Sequence, residues 1–347
     1  PADQRLLGCR LADGAIQLTA VDHPLTASER DLINLQGNSL LLSRLVPTKV
    51  QRNQKWMIDK EVASALVGID APIDCTVAAQ LVSVDSRSAV VEFAGQVVGG
   101  VEGVRTDVEM TGKLTIDTVT RSVKSLTLDL RERRVISDGQ PGLNVTAELY
   151  LESEPVDIPD ELRTDRIAVL LDEESSGQPL RFKSDDLGIS LLHTPQWKVV
   201  LHRYDAAVLR QLDNGELLTN MTINSLPNAP PNKQLTMASF QTEIEKGLAE
   251  RNGQMLEATE STNDNGLRIL RIAAAGAVEK VSLYWVYYHI SDDKGRRASA
   301  VLTVESDNVA RYAEAERSLI ASWEFISRTD RPEKTAKQKP PGESKVK

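Results

Sequence analysis

Two cysteines and four histidines in 347 residues leave little material for metal or nucleophile chemistry. His23, His193, His202 and His289 form neither H-E-x-x-H nor any other close ligand spacing. His193 and His202 flank one corner of the chain and read as ordinary strand histidines. No C-x-x-C is present, and no G-x-S-x-G presents a nucleophile. "GGVEG" at 99–103 lacks the spacing of a dinucleotide-binding loop and reads as a join between two strands. "STNDNG" at 261–266 begins like a calcium loop, but its twelfth position is Ile272, where a bidentate Glu is needed. A hairpin is expected there instead. These absences predict a protein that is not an enzyme and that holds no cofactor and no metal.

Other things are scarce as well. No apolar run reaches the roughly 18 residues that span a bilayer. Lys and Arg number 41 against 50 Asp and Glu, for a net charge of −9. That balance excludes nucleic acid as the main partner, because phosphate binding needs clustered positive charge. Aromatic residues make up only 4%, so Val, Leu, Ile and Ala must build the cores. The chain opens at Pro1 without an initiator Met, as a trimmed chain does and as an exported one does once its signal peptide is removed; a periplasmic or secreted protein is expected. "LLGC" at 6–9 imitates a lipoprotein cleavage box, but "PADQR" before it is no apolar signal core. Lipidation at Cys9 is therefore not expected. Cys9 and Cys75 can pair in an oxidising compartment, and the sequence leaves open whether they meet.

What is present divides into two domains, as this length suits. Residues 1–47 read as an N-terminal arm, with Thr26 or Ser28 as a helix cap ahead of Glu29. Residues 48–154 read as a curved antiparallel sheet domain. In it "DKEVASALVG" is a short helix capped by Asp59 and stopped by Gly68. From Cys75 the hydrophobic period becomes two. Val104, Thr106, Val108, Met110, Gly112, Leu114 and Ile116 fall on one face, with Arg105, Asp107, Glu109 and Lys113 on the other. Leu126, Leu128 and Leu130 repeat the pattern, as do Val145, Ala147, Leu149 and Leu151. With 75–84 and 88–99 this predicts about five long strands in a meander. Gly95 and Gly112 lie inside strands and predict strong curvature. The 59–68 helix and "LLLSRLV" at 40–46 are the available lids. Either they fill the concave face, or they leave an apolar groove lined by Val108, Met110, Leu114, Leu126 and Leu128. Trp56 reads as a core anchor.

Residues 155–186 are acidic and rich in Pro, Ser and Gly, and read as a linker. Then "GISLLHTPQWKVV" at 188–200 gives strand, corner and strand, with Pro195 and Trp197 at the bend. Hairpins follow, one of them marked by "DNGE" at 213–216. A helix bears Phe240, Ile244 and Leu248 on one stripe. Antiparallel strands come next. A final helix is expected from Ser306 or Asp307, with Val309, Tyr312, Ala313, Glu316, Leu319, Ile320 and Trp323 at helical spacing.

This order, the Pro-x-Trp corner after Gly188 and Ile189, and "SLIASWEF" at the close resemble the Mog1/PsbP-like superfamily over residues 187–326. The resemblance implies an antiparallel sheet sandwiched by helices, with Pro195, Trp197 and Trp323 as structural anchors. It implies a mostly non-catalytic family of photosystem assembly subunits, a Ran-binding protein and bacterial envelope proteins. No partner-specific surface of those relatives matches here residue by residue. The N-terminal domain matches no named family and is only loosely like the curved sheets of lipoprotein carriers.

The whole chain is thus expected to be α+β: a curved antiparallel meander with short helices, then a Mog1/PsbP-like domain. Residues 327–347 carry seven basic and three acidic residues and almost nothing apolar, so a disordered basic tail is expected. Its one candidate role is weak contact with an anionic surface. "RERR" at 131–134 reads as a solvated basic face. The leading functional expectation is a non-enzymatic secreted or envelope protein that binds or scaffolds a partner. The alternative is a carrier of an apolar ligand, a lipid or lipid-modified peptide, in the curved sheet.

Overall fold

A computed structural model describes residues 7–12, 15–20, 24–33, 39–101, 103–136, 141–157, 162, 179–213, 216–230, 233–249, 251–312 and 315–328. The expected tail from 329 onward, most of the expected linker, and His23 lie outside the described residues.

The first sheet is antiparallel. Its strands are β3 (Lys55–Met57), β4 (Ala71–Cys75), β5 (Ala78–Val84), β6 (Ser88–Val101), β7 (Val104–Asp117), β8 (Val123–Arg134) and β9 (Leu143–Glu152), numbered after the arm hairpin β1 (Leu7–Ala12) and β2 (Ala15–Ala20). The order across the sheet is β3-β5-β6-β7-β8-β9, with β4 also paired to β6. The stretch 75–84, expected as one strand, is two. β5 pairs with the first part of β6 and β4 with the last, so the chain bends at Thr76–Val77. That bend presses its backbone against Gly95, where a side chain would not fit. Gly112 faces Phe93 across the strands, and the Phe93 ring occupies the space a Cβ would take. Both interior glycines are therefore sites of close approach.

The alternating pattern determines which face is dry. Val104, Val108, Met110, Leu114, Leu126 and Leu128 are buried, while Arg105, Glu109, Lys113 and Asp129 are exposed. The cover comes from the expected lids. Helix α1 (Ala27–Ile33) belongs to the arm. Helix α2 (Ser39–Leu42) and the 3-10 turn after it supply Leu41, Leu42 and Leu45. Helix α3 (Lys60–Val67) supplies Val62, Ala63, Leu66 and Val67. Asp59 caps α3 by accepting from the amides of Glu61 and Val62, and Gly68 ends it at φ 76°. Each large aliphatic buried here contributes about 1.5–3 kcal/mol. Cys75 is a half-buried free thiol at the edge of this core, so the two cysteines are not bridged.

The arm also reaches the second half of the chain. Thr26 and Glu29 form a capping box at the start of α1, with bonds of 2.8–3.2 Å. Thr26 bridges Arg181 on β10 (Leu180–Ser184), and the Arg181 amide donates to Leu25 O at 2.7 Å. Residues 180–184, inside the stretch expected as linker, are therefore a strand. Leu180, Phe182 and Ser184 alternate inward, and the strand pairs with β11 (Ile189–His193).

The second half holds a seven-stranded antiparallel sheet ordered β12-β13-β14-β18-β17-β16-β15 and a small sheet ordered β10-β11-β19. The strands are β12 (Trp197–His202), β13 (Ala206–Asp213), β14 (Glu216–Leu226), β15 (Gln254–Thr262), β16 (Arg268–Val278), β17 (Val281–Ser291), β18 (Arg297–Glu305) and β19 (Glu324–Phe325). The Pro-x-Trp corner carries the chain from the small sheet to the large one. Its turn closes with the Trp197 amide donating to Thr194 O at 3.0 Å. Helix α4 (Met237–Ala249) covers one face of the large sheet through Phe240 and Leu248.

The other face is covered by the small sheet together with the closing segment, whose Tyr312, Leu319, Ile320 and Trp323 join the same core. The single final helix expected from the sequence is broken into a 3-10 turn, α5 (Val309–Tyr312) and α6 (Arg317–Ala321). At the break Glu316, on the stripe expected to face inward, accepts from the Tyr288 hydroxyl of the sheet. "STNDNG" is a hairpin turn, as expected. Its Asn263 and Asn265 side chains donate to the carbonyls of Ile320, Ser322 and Trp323, so the turn latches the chain's closing segment.

Candidate functional site

Strand β9 ends the first sheet, and no described strand lies on its far side. It pairs with β8 through ten consecutive residues without a register shift. The long edges of the second sheet differ. β12 carries a bulge between Val199 and Leu201, and β15 one between Met255 and Glu257, devices that blunt an edge against further pairing. β9 is thus a long, regular edge whose backbone groups on the open side need acceptors and donors. Its exposed side chains are in part apolar. Leu143 and Val145 stand out of the inner face, and Tyr150 of the outer face is 66% exposed. Val135 and Ile136, just past β8, extend the apolar patch, with Ile136 82% exposed. Ala147, Leu149 and Leu151 continue it as half-buried residues packed against the core.

The outer face of the sheet holds an open depression of about 500 Å³ that runs from β3 to β8 and takes no lining residue from β9. Small side chains (Ala78, Ala94, Thr111, Thr127) make the hollow, and Lys55, Glu92, Lys113 and Asp129 ring it with both signs of charge. Such a surface suits contact with another polar surface rather than enclosure of an apolar molecule.

The residues proposed to line an inner groove are in a different position. Val108, Met110, Leu114, Leu126 and Leu128 are each 0–2% exposed under α2 and α3. The face they form is covered in this structure, because the lid side chains fill it. Trp56 lies half-buried at the rim, its Nε1 donating to Leu45 O at 3.0 Å, and so ties the lid to the sheet. Trp197 and Trp323 are fully buried in the second core, while Pro195 is exposed on the turn between the sheets.

The histidines stay apart in their bonding. His202 Nε2 is 2.7 Å from Ser184 Oγ, and His193 Nδ1 is 2.9 Å from Thr194 O. His289 is buried beside Phe240, and neither ring nitrogen has a partner among the described residues. Burial, with Arg297 and Arg268 nearby, lowers its pKa to about 4. Among the described residues no group of three His, Cys, Asp or Glu side chains is placed to hold a metal.

One polar cluster was missed by sequence reasoning. Glu316 is fully buried and accepts from the Tyr288 hydroxyl at 2.8 Å. Arg271 donates from Nε to Tyr288 at 3.2 Å and from Nη1 to Glu257 at 2.6 Å, and lies 4.0 Å from Glu316. Burial, and then Glu316, hold the Tyr288 and Tyr312 hydroxyls far above the usual phenol range, so both stay neutral. Burial opposes the Arg271 charge, but Tyr288, Glu257 and Glu316 outweigh it and raise its pKa. The cluster ties the broken final helix to β16 and β17. The signal was in plain view: Glu316 sits on an otherwise apolar helical stripe, and Arg271 interrupts an apolar strand.

No family model matches this sequence. No curated protein matches it either. Solved structures similar to it include cyanobacterial PsbP from Synechocystis sp. PCC 6803, at 14% identity over 43% of this chain and 94% of that one, with a TM-score of 0.35. LpqN of Mycobacterium tuberculosis, described as involved in cell envelope biogenesis, is 10% identical over 43% and 85%, with a TM-score of 0.30. PA94 of Pseudomonas aeruginosa, a protein of unknown function, is 9% identical over 45% and 99%, with a TM-score of 0.29. Each of these is a partial likeness at low identity. No residue role is carried over from them.

Proposed function

We propose that this chain is a non-enzymatic binding or scaffold protein of the cell envelope or the secreted space, and that its first sheet takes up an extended segment of a partner protein along β9. One observation supports the reading above the others. β9 is a long, bulge-free edge with exposed Leu143, Val145 and Tyr150, whereas the long edges of the second sheet are bulged. Strand addition to such an edge gains main-chain hydrogen bonds for affinity and alternate side-chain contacts for specificity.

Replacing Val145 and Tyr150 together by Lys tests this. Both side chains are exposed, so the fold should hold to within about 0.5 kcal/mol. The partner retained by the wild-type protein from its own host should be lost. Equal retention by the variant would remove the β9 reading. Fractionation of that host tests the setting: recovery with the cytosol would contradict it.

A carrier of an apolar ligand is the second reading. It is favoured by the apolar patch of Val135, Ile136, Leu143 and Val145 at the open end of the inner face. A fluorescent fatty acid titrated into the full chain separates the two. Saturable uptake by the wild-type chain that weakens when Val145 is Lys would favour the carrier, and no uptake would remove it.

A further inference from the structure

A second recess lies in the C-terminal half, far in sequence from β9, and it is lined without a single acidic residue. Its volume is about 310 Å³, at the small end of ligand pockets. The closing segment 325–328, the Leu187–Gly188 turn and Asn228 form its walls, and Arg296, Arg297 and Arg328 face it together. In a chain of net charge −9 this is a concentration of one sign in a concave site, where low-dielectric walls strengthen the field.

The three arginines are not equivalent. Arg296 is neutralised: its Nε lies 2.6 Å from Asp292 Oδ2, and its guanidinium stacks over Phe325 at 5.3 Å. Arg297 and Arg328 have no carboxylate partner among the described residues. Each spends the same edge of its fork on a main-chain carbonyl. Arg297 donates from Nε and Nη2 to Pro227 O. Arg328 donates from Nε and Nη2 to Leu187 O, both at 3.2 Å. That grip fixes the planar groups and leaves the Nη1 donors of both for another acceptor. Asn228 and Ser327 add neutral donors, and Phe325 adds an apolar wall.

We infer that this recess is a binding site for a small oxyanion, a carboxylate or phosphate group, carried on a molecule with a flat apolar portion that lies on Phe325. Two pre-oriented guanidinium forks suit the planar or tetrahedral oxygens of such a group, and an ammonium would not replace them. The inference goes beyond the β9 reading and does not depend on it.

The test uses the full chain and two probes, benzoate and phenyl phosphate, titrated at constant ionic strength with chloride as the reference. The amide resonances of Gly188, Asn228 and Ser327 report binding. Saturable shifts are expected with at least one probe, and the stronger of the two identifies the source of the oxyanion. Arg297→Gln and Arg328→Gln should each weaken binding by about tenfold or more, while Lys113→Gln, on the first sheet, should leave it unchanged. If Arg297→Gln loses its fold along with the Pro227 contact, Arg297→Lys keeps the charge without the fork and should weaken binding as well. Shifts that chloride produces equally, or equal binding by the Arg328→Gln variant, would overturn the inference.

Discussion

Trp197 is 1% exposed and plugs the corner where the chain passes between two sheets. Trp197→Ala should therefore cost about 3–5 kcal/mol, the range for a buried aromatic removed from a core. Chemical denaturation of the full chain, followed by a probe in the second half, checks this. A ligand-stacking Trp would leave that transition unmoved. The histidines make a pH prediction. His289 is held neutral in the fold at a pKa of about 4, whereas an unfolded His protonates near pH 6.5. Above about pH 6.5 neither state binds the proton and stability is undiminished. As pH falls below that, the unfolded chain binds the proton first, so up to about 3 kcal/mol is lost by about pH 4. Burial lowers the His193 pKa too, which adds in the same direction. Unfolding free energies at pH 7.5 and 4.5 should differ less in His289→Leu than in the wild type. An unchanged difference would mean the ring is hydrated.

At the scale of elements, the strands were legible and the final helix was not. Two-residue alternation in 104–117 marked β7 and its buried face, because a half-buried strand has no other way to keep charges wet. Asp59 and Gly68 likewise marked α3, since cap chemistry is local. The partners of Glu316 at the break are Tyr288 and Arg271, more than 25 residues away in sequence, and no periodicity carries that. Two substitutions probe these elements. Leu128→Glu should unfold the first sheet, because α2 and α3 leave the carboxylate no water and no partner. A folded variant with intact secondary structure would mean the lid opens. Arg271→Met should cost about 3–5 kcal/mol by stranding the Glu316 carboxylate, and Arg271→Met with Glu316→Leu should recover most of it. Additive losses in the double variant would show that the two groups are not coupled.

Among the described residues the two largest cores lie one against each seven-stranded sheet, and α4 closes smaller ones on the other face of the second sheet. The expectation of two domains, drawn from length, did not include an arm that reaches both halves of the chain. Leu41, Leu42 and Leu45 close the first core, while Ala20 and Leu25 pack on Leu180 of the second half. Lys198 on β12 also meets Asp70 at 3.5 Å. The candidate site was less legible than the fold. The sequence pointed to the inner leucines, which are apolar because they are core. An edge strand is recognised only from its missing neighbour, and a strand pattern looks the same with or without one. The same limit hid the arginine recess, assembled from positions 187–188, 228, 296–297 and 325–328.

The most direct test of β9 as the partner-binding edge is site-specific photo-crosslinking in the protein's own host. A photoreactive residue is placed in turn at Tyr150, on β9, and at Tyr204, which is 60% exposed in the second half. The account predicts a discrete protein adduct from position 150 that disappears when Val145 is Lys, and none from position 204. No adduct at 150, or the same adduct from both positions, would contradict it.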